Sequence, residues 1–296
     1  MSHGLFSGIW VALVTPFHHG EVDHTALQKL VHHYAHAKVA GLVALGTTGE
    51  AATLSEHEQD AVLDTVLSHA GTLPVMVGLA GVHQGGLLQR LRTLTRHPVA
   101  GVLIPAPYYV RPSQQGLVEH FTRLADASAQ PVVIYDIPYR SAVTLALDTL
   151  LTLAGHPNIQ AIKDCGGSLE KTQALIADAR LAVLAGDDLN IFNTLCMGGQ
   201  GAITAAAHLR PDLFVAMHQA IAAQRLAEAR EIFHVLAPMI QALFAEPNPS
   251  GVKAALHQLG WIENELRSPM MAASKAAQAH LAHALAALNL AATVQI

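Results

Sequence analysis

Six lysines stand in a chain of 296 residues, and Lys163 alone ends an apolar run instead of riding on an amphipathic one. In Ile159-Gln160-Ala161-Ile162-Lys163 a strand period of two puts Ile159, Ala161 and Lys163 on one face. An amine at the end of a buried strand is partly desolvated. That disfavours the ammonium, lowers its pKa and frees the nitrogen to attack a ketone. The competing role is a structural ion pair with Asp164 or Asp187. Lys29, Lys38, Lys171, Lys253 and Lys275 fall in predicted helices, where a solvated amine is the ordinary role.

Forming and breaking an imine needs a group that gives and takes protons at one spot. Tyr135 ends the preceding apolar run, Val132–Tyr135, and a tyrosine can serve if a chain of hydroxyls feeds it. Thr47 and Tyr109, at two other strand ends, are candidate relays; the competing role for each is packing. Gly46-Thr47-Thr48-Gly49 offers backbone amides beside two hydroxyls, suited to a small carboxylate or simply to a turn. Arg140, five residues beyond Tyr135 across Pro138, has the fork to hold a second carboxylate, or is a solvated loop arginine.

The elements that must position these groups are short apolar runs separated by longer amphipathic ones. Strands are expected near Gly8–Thr15, Gly41–Leu45, Pro74–Gly78, Ala100–Ile104, Val132–Tyr135, Ile159–Lys163, Ala182–Gly186 and Gly201–Thr204. Each gap has room for a crossover helix, as parallel pairing requires. Ser55 with Glu58 forms a capping-box pattern ahead of Ala61-Val62-Leu63, and Ser113 and Pro211-Asp212 open further helices. Eight such units predict an α/β fold of the (β/α)8 TIM-barrel type, in which chemistry sits at the C-terminal strand ends. The candidates above meet that rule. Residues 1–225 are expected to form the barrel and 226–296 a helical C-terminal extension, broken at Pro247-Asn248-Pro249 and at Pro269.

Composition bounds the rest. Charged residues are 13% of the chain and the formal charge is −5 without a basic cluster, which argues against nucleic-acid binding and, weakly, for self-association. No apolar run approaches the length of a membrane span, Met1–Thr15 lacks signal-peptide features, and two cysteines make no disulfide framework; a cytoplasmic protein is expected. The 19 histidines are scattered and show no strand-end metal motif, so no metal is expected.

These motifs together resemble the dihydrodipicolinate synthase family, within the N-acetylneuraminate lyase superfamily of class I aldolases. The segments are Gly46-Thr47-Thr48-Gly49-Glu50, Pro107-Tyr108-Tyr109 with Pro112-Ser113-Gln114, Tyr135-Asp136-Ile137-Pro138, Lys163-Asp164, Gly186-Asp187-Asp188, Gly198–Ile203 and Asn248-Pro249. The resemblance implies that Lys163 forms an imine with pyruvate and that Tyr135 shuttles protons through Thr47 to a Tyr109 donated by a neighbouring subunit. It implies that Thr48 binds the pyruvate carboxylate, that Arg140 receives aspartate semialdehyde, and that Gly186 and Ile203 line the pocket. It further implies a tight dimer, itself paired into a tetramer, and no cofactor. A pyruvate-dependent aldolase or dehydratase acting on a sugar acid or another aldehyde stays open, as does a catalytically silent ligand-binding barrel. Tyr139 and Ser141-Ala142 depart from the family's run around the arginine and bear on the acceptor. Val82 and Gly86 stand where lysine-inhibited members carry Asn and Glu, so feedback by lysine is expected to be weak or absent.

Overall fold

The computed structural model describes residues 4–294; Met1 to His3 of the expected barrel, and Gln295 and Ile296 of the expected extension, lie outside the described residues. Eight parallel strands are β1 (Gly8–Ala12), β2 (Gly41–Ala44), β3 (Val75–Gly78), β4 (Gly101–Pro105), β5 (Val132–Asp136), β6 (Ile159–Asp164), β7 (Ala182–Ala185) and β8 (Gly201–Thr204). They close into a barrel in the order β1-β8-β7-β6-β5-β4-β3-β2. The chain is thus a (β/α)8 barrel, as the spacing of apolar runs predicts. Strand residues such as Val133, Ile134, Ala161 and Ile162 are wholly buried, because crossover helices cover the outer face while side chains fill the inner one.

The chain divides into two compact units, Met1–Gly8 with Pro74–Ile203, and Ile9–Leu73 with Thr204–Ile296. In the first unit the register sets the chemistry. Val133 pairs with Ala161, Tyr135 with Lys163 and Asp136 with Asp164, after a register shift at Val132/Val133. Lys163 in turn pairs with Leu184 of β7. The crossover helix Gln114–Ala127 shows how sequence places an element: Ser113 accepts from the Gly116 N–H as N-cap, and Leu117, Phe121 and Leu124 bury one stripe. Each such side chain contributes roughly 1.5–3 kcal/mol of burial.

In the second unit the capping box at Ser55 and Glu58 is present: Ser55 Oγ accepts from the Glu58 N–H at 3.3 Å, and Glu58 Oε2 accepts from the Ser55 N–H at 2.8 Å. Gly41 is required because the fully buried Trp10 ring occupies the space a Cβ would need. A two-stranded hairpin, Phe17–His18 with Glu21–Val22, was not legible in the sequence, since two-residue strands show no period. The C-terminal helices are Leu226–Leu243, Ser250–Gln258 and Lys275–Val294, with the expected breaks between them. Among the described residues no helix is long and apolar enough to cross a membrane.

Candidate active site

In the first unit the ends of β5 and β6 each present one residue inward and one outward, as the strand period requires. The inward pair is Tyr135 and Lys163, register partners, with the Lys163 Nζ 4.4 Å from the Tyr135 ring centroid. The outward pair, Asp136 and Asp164, is anchored by the helix Leu169–Asp178. Lys171 Nζ donates to Asp136 Oδ2 and, at 3.3 Å, to the Leu145 carbonyl. Thr172 Oγ1 donates to Asp164 Oδ2 at 2.5 Å, while Asp164 Oδ1 accepts from the Gly166 N–H at 2.8 Å. The residues next to Tyr135 and Lys163 are therefore fixed from behind, which limits how far either can swing. Burial pushes the Asp136 carboxyl up, against the pull of Lys171.

The sequence-based view of the other lysines needs correction. Lys38 lies in a turn at positive φ, not in a helix, and Lys171 and Lys253 are buried, not solvated. Burial alone therefore does not single out Lys163. Partnership does. Lys171 is matched by Asp136, and Lys253 by Glu50 at 2.5 Å. Among the described residues no carboxylate reaches Lys163 within ion-pair distance, so the structural alternatives, Asp164 and Asp187, do not hold it. Lys163 is 7% exposed, as Lys171 is, against 0% for Lys253, so exposure does not separate it from Lys171 and the missing partner does.

Burial lowers the pKa of the Lys163 ammonium; Cys165 and Asp188 pull the other way, and Arg140 adds to the lowering. A buried amine with no carboxylate at ion-pair distance is what a carbonyl-condensing lysine needs. Cys165, which carries no local motif in the sequence, lies beside it, but burial pushes its thiol up to about 12, so the thiolate does not compete as nucleophile. Gly186 packs directly on the pair: a Cβ there would fall 2.5 Å from Cys165 Sγ and 2.7 Å from Lys163 Cγ.

The remaining candidates are placed differently. Arg140 is exposed on the short helix Pro138–Ser141 and hydrogen-bonds the Tyr139 side chain. Ile203 is fully buried in β8. Tyr109 is 90% exposed at φ +70°, in a loop where Tyr108 and Val110 are exposed too, and among the described residues it makes no hydrogen bond. In the second unit, β2 runs through Leu45 at positive φ into Gly46–Glu50, where Thr47 is exposed and Thr48 buried. Thr48 Oγ1 accepts from Asn248 Nδ2 at 2.9 Å.

Residues 5–288 match the family model described as the dihydrodipicolinate synthetase family. The chain is 39% identical over 292 residues to a 4-hydroxy-tetrahydrodipicolinate synthase of Hyphomonas neptunium, covering 96% of this chain and 100% of the relative. It is 36% identical over 272 residues to 4-hydroxy-tetrahydrodipicolinate synthase 2 of Clostridium acetobutylicum, covering 90% and 95%. Among solved structures, the 4-hydroxy-tetrahydrodipicolinate synthase of Methylacidiphilum fumariolicum superposes with a TM-score of 0.95 at 30% identity, over 98% of each chain. With a matching barrel and matches over nearly its whole length, this chain belongs to the dihydrodipicolinate synthetase family.

Proposed function

We propose that the chain is a 4-hydroxy-tetrahydrodipicolinate synthase, a class I aldolase-type lyase that condenses pyruvate with aspartate semialdehyde in lysine and diaminopimelate biosynthesis. The observation that carries this reading is the buried Lys163 amine that no carboxylate pairs. The neutral amine adds to C2 of pyruvate, and loss of a single water gives the imine. Removal of a proton from C3 gives the enamine, whose carbon attacks the aldehyde. The amino group of the semialdehyde then adds to C2 and displaces Lys163, closing the ring and restoring the free amine.

Tyr135 is the proton carrier in this scheme, supported by its register opposite Lys163, and Thr47 and Tyr109 extend the relay. Thr48 and neighbouring amides take the pyruvate carboxylate, Arg140 the carboxylate of the semialdehyde, and Gly186 and Ile203 bound the cavity. Tyr109 comes from a second copy of the chain. A bulky residue held at φ +70° and almost fully exposed carries backbone strain that a surface loop would otherwise relax, and that supports a contact made on assembly. A tight dimer, paired again into a tetramer, and a cytoplasmic setting complete the proposal.

Borohydride reduction with pyruvate tests the chemistry: a pyruvyl group locked onto the Lys163 peptide is expected, and its absence would favour a silent barrel. Gly186→Ala is expected to slow adduct formation by about 100-fold, because the new Cβ displaces the Lys163 stem from its approach line. The rate of labelling of the Lys163 peptide after mixing with pyruvate and reductant measures it. Arg140→Ala is expected to lower kcat/KM for aspartate semialdehyde by about 100-fold or more while leaving the pyruvate adduct intact. An equal loss across sugar-acid acceptors would point instead to the related aldolases.

A further inference from the structure

The Gly46–Glu50 segment is held by charged groups contributed from the far end of the chain. Glu50 sits at φ +52°, buried, and its backbone closes the turn by donating to the Thr47 carbonyl at 3.1 Å. Its Oε1 meets the Lys253 Nζ at 2.5 Å in an ion pair held by charge more than by hydrogen-bond alignment. Its Oε2 accepts from the Arg267 N–H at 3.1 Å. Lys253 also donates to the Glu265 carbonyl at 2.9 Å and lies 4.0 Å from the Phe17 ring centroid, with the Arg267 guanidinium 4.6 Å from the same ring. Two residues before the helix of Lys253, Asn248 donates to Thr48 Oγ1 at 2.9 Å.

A hydroxyl that accepts one hydrogen bond keeps its only proton for another partner. With Asn248 donating, the Thr48 O–H is left to point at an anion. We propose that Asn248 and Lys253 are positioning residues for the substrate-carboxylate segment, Asn248 acting through Thr48 and Lys253 through Glu50. This rests on the assignment of Thr48 to the pyruvate carboxylate. It gives the C-terminal helices a part in substrate binding.

The test compares pyruvate KM, kcat, Tm and borohydride-trapped adduct in the full-length enzyme. Asn248→Ala is expected to raise pyruvate KM about tenfold with Tm close to wild type, as loss of one oriented donor to a charged group would do. Asn248→Asp is expected to raise it further, since a carboxylate takes the Thr48 proton for itself and repels the substrate. Lys253→Met leaves Glu50 buried and unmatched, so Tm falls as well. The pair Glu50→Gln with Lys253→Met removes both charges, and is expected to recover Tm but not pyruvate KM. A purely structural role predicts that KM recovers with Tm. Pyruvate KM within twofold of wild type in both Asn248 variants, with the adduct still forming, overturns the inference alone, and these variants decide the matter if Lys253→Met does not fold. Absence of adduct in the wild type overturns the imine reading and this inference with it.

Discussion

Lys163→Met is expected to lose about four orders of magnitude or more in turnover and, in the same protein, to melt at a higher temperature at pH 7. Methionine keeps most of the apolar stem and removes the nitrogen, so no imine forms and reductive trapping leaves the Lys163 peptide unlabelled. The gain in stability follows from the direction of the pKa shift. Burial lowers the folded-state pKa of Lys163 below the ordinary 10.5. Between those two values the unfolded chain holds a proton that the native chain lacks, so stability rises with pH across the window. Below the folded pKa the full cost of burying the ammonium persists; above 10.5 it is gone. The advantage of methionine is therefore largest below the folded-state pKa and closes as pH approaches 10.5. A gain of about 1 kcal/mol would move Tm by a few degrees in a chain of this size. The kinetic counterpart is that adduct formation by the wild-type enzyme rises with pH and levels off below 10.5. A profile still climbing through 10.5, or a methionine variant no more stable than wild type at every pH, would remove the premise of a desolvated amine.

The barrel and its central lysine were legible because both depend on strand periodicity. Ile159, Ala161 and Lys163 announce an inward face, and the same rule applied to β5 places Tyr135 inward. Their adjacency needed more than periodicity, namely the register of β5 on β6, which passes a shift at Val132/Val133 before aligning Tyr135 with Lys163. The supporting ion pairs are not legible from the rule that a lysine in a helix is ordinarily solvated, because Lys171 and Lys253 sit on buried helix faces. The helix Leu169–Asp178 buries Lys171, Thr172 and Leu175 on one stripe, and that i to i+4 spacing was a signal that Lys171 faces inward. Ser250–Gln258 gave a different warning: Gly251, Val252, Ala254 and Ala255 leave Lys253 almost no polar company, and the residues Ser250–Leu256 are all buried. Glu50 carried no local signal, since a charged residue after Gly49 looks like an ordinary turn until its left-handed backbone and its partners from beyond residue 250 are seen.

Tyr135→Phe is expected to lower kcat by about 100- to 1,000-fold with little change in pyruvate KM, the range usual for loss of a positioned proton carrier. Phenylalanine preserves the ring against which the Lys163 Nζ lies, 4.4 Å from its centroid, so the variant deletes the hydroxyl and little else. The imine involves several proton transfers in one place: into the carbinolamine oxygen as water departs, out of C3 as the enamine forms, and back again on ring closure. Water substitutes poorly because Tyr135 and Lys163 are both buried, so removing the phenol slows each transfer. The trapped adduct should form slowly yet reach the wild-type extent, which separates a missing proton carrier from a missing nucleophile. Tyr109→Phe is expected to lose less, being one step further along the proposed relay, and its effect should depend on protein concentration if a second copy supplies that residue. Full-speed adduct formation in Tyr135→Phe would leave the fixed pair at the ends of β5 and β6 without a chemical purpose, and the proton would have to be sought on another strand.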